Sequence, residues 1–380
     1  MSVVPETLTD LLAHLIRIDS VNPSLIPGAA GEAELARFVS SWLQAHGIAS
    51  TLDEAAPGRF SVIARVPGSG GGRSLMLNAH LDTVGVGEML LALEPVVREG
   101  RMYGRGSYDM KSGLAACMLA LRDASRSTLR GDVILTAVAD EEHASLGIQS
   151  VLRQVRADAA IVTEPTSLHL CVAHKGFTWH EVTTRGRAAH GSRPDLGTDA
   201  IVHMGRVLGR LEDLQRELES RPAHPRLGHA SVHASLIRGG QELSSYPERC
   251  TLHVERRTLP GETLKSIEAE WEALLRPLSH ESDFQAEQRV TLVREAFEVA
   301  EDASIVKALR EQAEQVLGRA PGYMGQSFWM DAAFLAAAEI PTVVFGPHGA
   351  GAHAAEEWVD LASAEDCHAV LSATLAAFCA

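Results

Sequence analysis

Residues 74–84 read SLMLNAHLDTV, an apolar run that ends in a histidine and an aspartate two positions apart. Side chains alternate faces along a strand, so His80 and Asp82 share one face while Ala79 and Leu81 take the other. A neutral imidazole is a good ligand for a divalent transition metal. A carboxylate beside it can accept the proton of the other ring nitrogen, fixing the tautomer and raising the basicity of the ligating one. A core strand that merely ends in two polar residues fits the same stretch, and the rest of the chain decides between the two readings.

Three more apolar runs, residues 133–139, 159–162 and 342–345, are short and lack clean alternation, as expected of strands covered on both faces by crossover helices. Glu141 and Glu142 follow the first, Glu164 follows the second, and His353 comes after the third. The segment MYGRGSYDMKSGLAACMLALRDA changes at Asp109 from a glycine-punctuated turn to the helical spacing of Met110, Leu114, Cys117, Met118 and Leu121, which predicts Asp109 at a helix start. Helical periodicity also predicts helices over 7–18, 31–46, 303–317 and 331–339, with a strand at 60–66. The expected class is α/β, a mostly parallel sheet with helices on both faces, and the carboxyl edge of such a sheet is where sites are built.

From Lys175 the texture changes. KGFTWHEVTTRGRAAHGSRP reads as a period-2 strand into a loop, followed by a helix near 199–218, strands at 230–237 and 250–259, and a helix after Pro260. That order predicts a small α+β sandwich over 175–293, inserted in a catalytic domain made of 1–174 and 294–380.

At 380 residues, two domains are the prior. The balance of 34 basic against 49 acidic residues gives −15, which argues against nucleic acid and anionic membrane surfaces as partners. Cys117, Cys171, Cys250, Cys367 and Cys379 are odd in number, dispersed and never arranged as CxxC, the pattern of reduced thiols in a cytoplasmic protein. No signal peptide and no bilayer-length apolar run is read from the sequence.

His80, Asp109, Glu142, Glu164 and His353 make a coherent donor set. Two divalent cations carry four positive charges, and three carboxylates with one hydroxide balance them. The mixed imidazole and carboxylate shell suits two Zn2+ per subunit, with Co2+ or Mn2+ as substitutes. A division that uses every ligand gives His80 and Glu164 to one ion, Glu142 and His353 to the other, and Asp109 to both. Glu141 is then free to act as general base, and Asp82 to orient His80.

HLDTV, YGRGSYDMKSG, ADEEHASLG, IVTEPTS, GRAAHGSRP, ERRTLPGE and FGPHGAGAHAAEEWV, in this order and over nearly the whole chain, resemble the M20 family of di-zinc peptidases and deacylases. The resemblance implies the same ligand division, Glu141 as base, a non-proline cis peptide after Asp109, and an inserted domain that dimerises and closes as a lid. It also implies two roles that spacing does not assign. His190 of the partner subunit would stabilise the oxyanion, and Arg257, three residues before Pro260, would grip a substrate carboxylate. By residue type alone both are surface groups. Ser244 stands three residues before Pro247 where relatives often carry asparagine, at a substrate-end contact. The expected activity is hydrolysis of the amide bond of N-acyl amino acids. A carboxypeptidase or dipeptidase using the same machinery is the enzymatic alternative, and a non-catalytic dimeric binding protein on this fold the other.

Overall fold

Leu75–His80 forms a strand, and all six of its residues are buried. The computed structural model describes residues 4–380. Leu75–His80 lies between Val133–Val138 and Ala159–Val162, parallel to both, and Thr342–Val344 extends the parallel block beyond Ala159–Val162. Antiparallel strands flank it: Arg59–Val66 and then Ser50–Ala56 on one side, Leu170–His174 on the other. The mostly parallel sheet is as expected. Ser50–Ala56, reading STLDEAA, is an addition that sequence pattern misses because a polar, half-exposed edge strand has no apolar alternation.

The helices follow from apolar spacing and caps. Leu8–Arg17 buries Leu8, Leu11, Leu12, Leu15 and Ile16 on one face, and Thr7 caps it by accepting from the Asp10 amide at 3.1 Å. Ala33–Ala45 ends at Gly47, whose φ of +76° suits a residue without a Cβ. Ser112–Ser125 is buried almost all round, sitting on the sheet and against the C-terminal helix Leu361–Phe378. Asp109 departs from expectation. The helix begins only at Ser112, and Asp109 lies in a kinked turn, Ser107–Lys111, with extended dihedrals and a cis peptide bond to Met110.

The described residues form two compact units. One takes the chain up to Val172, with Val299–Met324 and Met330–Ala380, and the other takes Ala173–Glu298 with Gly325–Trp329. The second unit is an antiparallel sheet in the order Ser231–Gly239, Arg249–Thr258, Gly176–Arg185, Gln285–Arg294. Helices Ala200–Ser220 and Leu264–Leu275, capped by Asp199 and Thr263, pack on one face. Gln285–Arg294 is the strand absent from the predicted order. Its sequence, QAEQRVTLVR, carries too few apolar residues to announce a half-buried edge strand. All five cysteines are buried and free. No helix among the described residues is long and apolar enough to cross a membrane.

The helix-covered face of the second sheet buries His180 as well as Val182, Leu252 and Val254. Gln288 Nε2 donates to His180 Nδ1 at 2.7 Å, so Nε2–H donates to Thr178 Oγ1 at 2.7 Å and the ring is neutral. Burial, aided by the charge of Arg256, pushes its pKa down to about 4 from 6.5. A histidine kept neutral in the fold stabilises fully above its unfolded pKa. That contribution is lost as pH falls from about 6.5 towards 4, by up to about 3 kcal/mol. Thermal unfolding between roughly pH 7 and pH 4.5 should therefore weaken more steeply for the wild-type chain than for His180→Gln, and equal slopes would remove His180 from the acid response.

Candidate active site

The strand Leu75–His80 delivers His80, 2% exposed, to the carboxyl edge of the parallel block. Its Nδ1 lies 2.9 Å from the backbone carbonyl of Asp82 and so donates to it, leaving the Nε2 lone pair free to accept or to ligate. Nε2 is 3.1 Å from Asp109 Oδ1 and 3.5 Å from Glu164 Oε1. Burial opposes protonation of this ring, but the charges of Glu164, Asp109, Glu141 and Asp82 outweigh it and hold the pKa well above the usual value.

Asp82 acts differently from the expectation. Its carboxylate is 3.7 Å from the ring, and its carbonyl rather than its side chain selects the tautomer. The carboxylate turns to the acidic segment instead, accepting from the backbone amides of Glu141 at 3.0 Å and Glu142 at 3.1 Å, and from Asn22 Nδ2 at 2.8 Å. It thereby sets the direction of both glutamates through their main chain. Asp140, at φ +70°, is held by Arg59 Nη2 at 2.7 Å and Asn22 Nδ2 at 3.0 Å, while its amide donates to Glu32 Oε1 at 3.1 Å. A buried network of Asn22, Glu32, Arg59, Asp82 and Asp140 thus supports the turn.

Asp109 is held by Glu357. The Glu357 carboxylate accepts from the amides of Gly106, Tyr108 and Asp109 at 2.9–3.0 Å and from Arg105 Nη1 at 2.7 Å. Asp109 presents one oxygen to each imidazole, Oδ1 to His80 and Oδ2 to His353 Nε2 at 3.4 Å. His353 Nε2 is also 3.1 Å from Glu142 Oε2. Contact with Asp109 and Glu142 raises the His353 pKa to about 10. Glu164 sits just after the strand Ala159–Val162. Burial, together with the charges of Asp109, Glu142 and Asp331, raises its carboxyl to about 8 despite His80. Glu141 is pushed well above the usual carboxylate range, by burial first and then by Glu164. One donor oxygen each from Glu141 and Glu164 lies with a His80 nitrogen inside a mutual 4.8 Å, as do donors of His80, Asp109 and Glu142.

Six of the residues singled out from sequence therefore converge: His80, Asp109, Glu141, Glu142, Glu164 and His353. His190, Ser244 and Arg257 belong to the second unit. There, His190 is exposed with Nδ1 2.8 Å from Ser192 Oγ, and the Gly191 amide donates to the carbonyl of Ser244 at 2.7 Å. Arg257 is on the strand Arg249–Thr258. Sequence reasoning did not name Asn22, Glu32, Arg59, Glu357 or Asp331. The available signal for Glu357 is its place in the AAEEWV segment, and the others lie in stretches with no motif.

The donor set fits divalent ions on two observations. Glu142 Oε1 is buried with no hydrogen-bond partner among the described residues. Neither Asp109, Glu141, Glu142 nor Glu164 has an ion pair with a lysine or arginine there, so the crowded carboxylates have no cation of their own besides the imidazoles. Nitrogen and oxygen donors in this mixture are those of transition-metal sites.

A sequence profile of peptidase family M20/M25/M40 matches residues 76–377. An acetylornithine deacetylase of Myxococcus xanthus is 31% identical over 98% of this chain and 97% of its own. The acetylornithine deacetylase of Proteus mirabilis is 28% identical over 100% of this chain and 98% of its own. Among solved structures, an M20 family metallo-carboxypeptidase from Sulfolobus solfataricus superposes with a TM-score of 0.79 at 16% identity, covering 98% of this chain and 99% of that one. The profile spans most of the chain and the relatives align end to end, so the protein belongs to the M20/M25/M40 family of peptidases.

Proposed function

We propose that the protein is a metal-dependent amidohydrolase that removes the acyl group from N-acyl amino acids. The observation that carries this reading is the placement of Asp109, whose two oxygens face two imidazoles, each paired with its own glutamate. His80 and Glu164 would hold one ion, Glu142 and His353 the second, and Asp109 both, with zinc the metal favoured by the donors. When bound, the ions supply the charge that acidifies a water and polarises the amide carbonyl.

The chain's own residues supply the rest. Glu141 takes a proton from the attacking water as the new C–O bond forms, then gives it to the nitrogen as the C–N bond breaks, releasing a carboxylic acid and a free amine. Burial among acidic neighbours raises its proton affinity, which suits a group that must hold a proton between the two steps. His190 of the partner subunit donates to the substrate oxygen as negative charge develops, and Arg257 grips the free carboxylate of the amino acid. Ser244 is assigned to the far end of the substrate. The names of the acetylornithine deacetylase relatives support the N-acyl class.

The test is a panel of N-acetyl, N-succinyl and N-formyl amino acids and dipeptides, offered to zinc-loaded and chelator-treated protein. Chelator-sensitive release from N-acyl amino acids is the expected result. Release confined to dipeptides would replace the deacylase reading with the dipeptidase one, and turnover indifferent to chelator would remove the metal centre from the chemistry.

The free state of all five buried thiols supports a reducing compartment, the cytoplasm. A homodimer through the second unit is supported by its exposed apolar strip. Ile201 and Val202 on the helix Ala200–Ser220, and Leu236 and Ile237 on the edge strand Ser231–Gly239, are each 45–58% exposed. Ile237→Asp should convert the dimer to a monomer in sedimentation or light scattering, and a dimer that survives this change places the interface elsewhere.

A further inference from the structure

On the strand Arg249–Thr258, consecutive arginines have opposite fates. Arg256 is 1% exposed and bound by Glu262 and Glu270, whereas Arg257 faces the side of the sheet that no helix covers. Glu255 shares the Arg257 face, two residues back. Its Oε1 accepts from Arg257 Nε at 2.6 Å, and its Oε2 accepts from the indole Nε1–H of Trp179 at 3.0 Å. Across the ladder Phe177 is opposite Arg257 and Trp179 is opposite Glu255. The Arg257 guanidinium lies 5.0 Å from the centre of the Phe177 ring, and the Phe177 and Trp179 rings are 5.5 Å apart.

A guanidinium offers a carboxylate two bidentate edges, one through Nε and one through the two terminal nitrogens. Glu255 occupies Nε, the Phe177 face supports the plane, and neither terminal nitrogen has a hydrogen-bond partner among the described residues. One edge of the fork is left open, and the side chain is ordered before any ligand arrives. Pre-ordering lowers the cost of binding, because a long flexible side chain otherwise loses its rotamer freedom when it engages.

We propose that Glu255, pinned by Trp179, is the positioning residue that presents the terminal nitrogens of Arg257 to the substrate carboxylate. This rests on the assignment of Arg257 as the carboxylate grip. Glu255 touches no reacting atom, so its effect belongs in KM for substrates that carry a free carboxylate.

Steady-state kinetics of the zinc-loaded enzyme test it, using the N-acetyl amino acid turned over fastest in the panel and the same compound as its C-terminal amide. Glu255→Ala is expected to raise KM for the acid about tenfold, with kcat held within about twofold, as for loss of one charge-assisted hydrogen bond. KM for the amide should not move. Glu255→Gln, whose carbonyl oxygen can still accept from Nε, should recover most of the loss. In an Arg257→Ala background, which alone raises KM for the acid, Glu255→Ala should add nothing. An unchanged KM in Glu255→Ala beside a raised KM in Arg257→Ala overturns the positioning role and leaves the grip standing. A rise that is equal for acid and amide, or that persists in the Arg257→Ala background, also overturns it. No effect of Arg257→Ala on KM for the acid removes the grip itself, and the positioning role with it.

Discussion

Glutamine in place of Glu141 should lower kcat by roughly 10²- to 10⁴-fold, the range removed with a positioned general acid–base, while metal content by elemental analysis stays at the wild-type level. Glutamine has the size of glutamate but cannot accept a proton from water or return one to nitrogen. The local geometry should survive, because the contact that orients residue 141 is from its backbone amide to Asp82, which the substitution does not touch. Neutral glutamine also introduces no unpaired charge at this half-buried position. A kcat within about threefold of wild type at equal metal content would assign the proton transfer to another group.

Glu357→Ala has the largest expected effect on the fold. Alanine strips the acceptor from three backbone amides and from Arg105, whose side chain is only 2% exposed. Leaving a buried cation without its partner costs about 3–5 kcal/mol, and the turn that presents Asp109 to both imidazoles loses its anchor. Denaturant unfolding of the ion-free protein should show that loss, and divalent-ion titration should show weakened binding in whatever protein remains folded. Glu357→Gln keeps one acceptor oxygen and should fall between. A loss below about 1 kcal/mol with unchanged ion affinity would mean that Glu357 is not what holds Asp109 in place.

These two variants mark different depths of legibility. Glu141 is readable because it sits in an acidic run directly after a buried strand, and adjacency along the chain fixes adjacency in space when both residues leave the same strand end. His80, Glu142 and Glu164 are readable on the same ground. Asp109 is readable by identity and less by conformation, since the glycine turn and the helix pattern meet there but the dihedrals of the joint do not follow from either. Glu357 lies in a quoted motif, but its role is not readable on that ground. Its partner Asp109 is 248 residues away, and no local pattern distinguishes it from the exposed Glu356 beside it. Asn22 and Asp140 are 118 apart, and Arg59 and Asp140 are 81 apart.

By itself the sequence determined the α/β class with its inserted sandwich and brought candidate imidazoles and carboxylates to strand ends, because periodicity, caps and short-range spacing are local properties that survive without the fold. Only the tertiary structure decided how those donors are aimed. It set the tautomer of His80 by a carbonyl rather than a carboxylate, gave Asp82 to the amides of Glu141 and Glu142, and buried Arg59, Arg105 and Arg256 against their acids. Those are choices between hydrogen-bond partners that lie far apart in the chain and become neighbours only when the sheet is assembled.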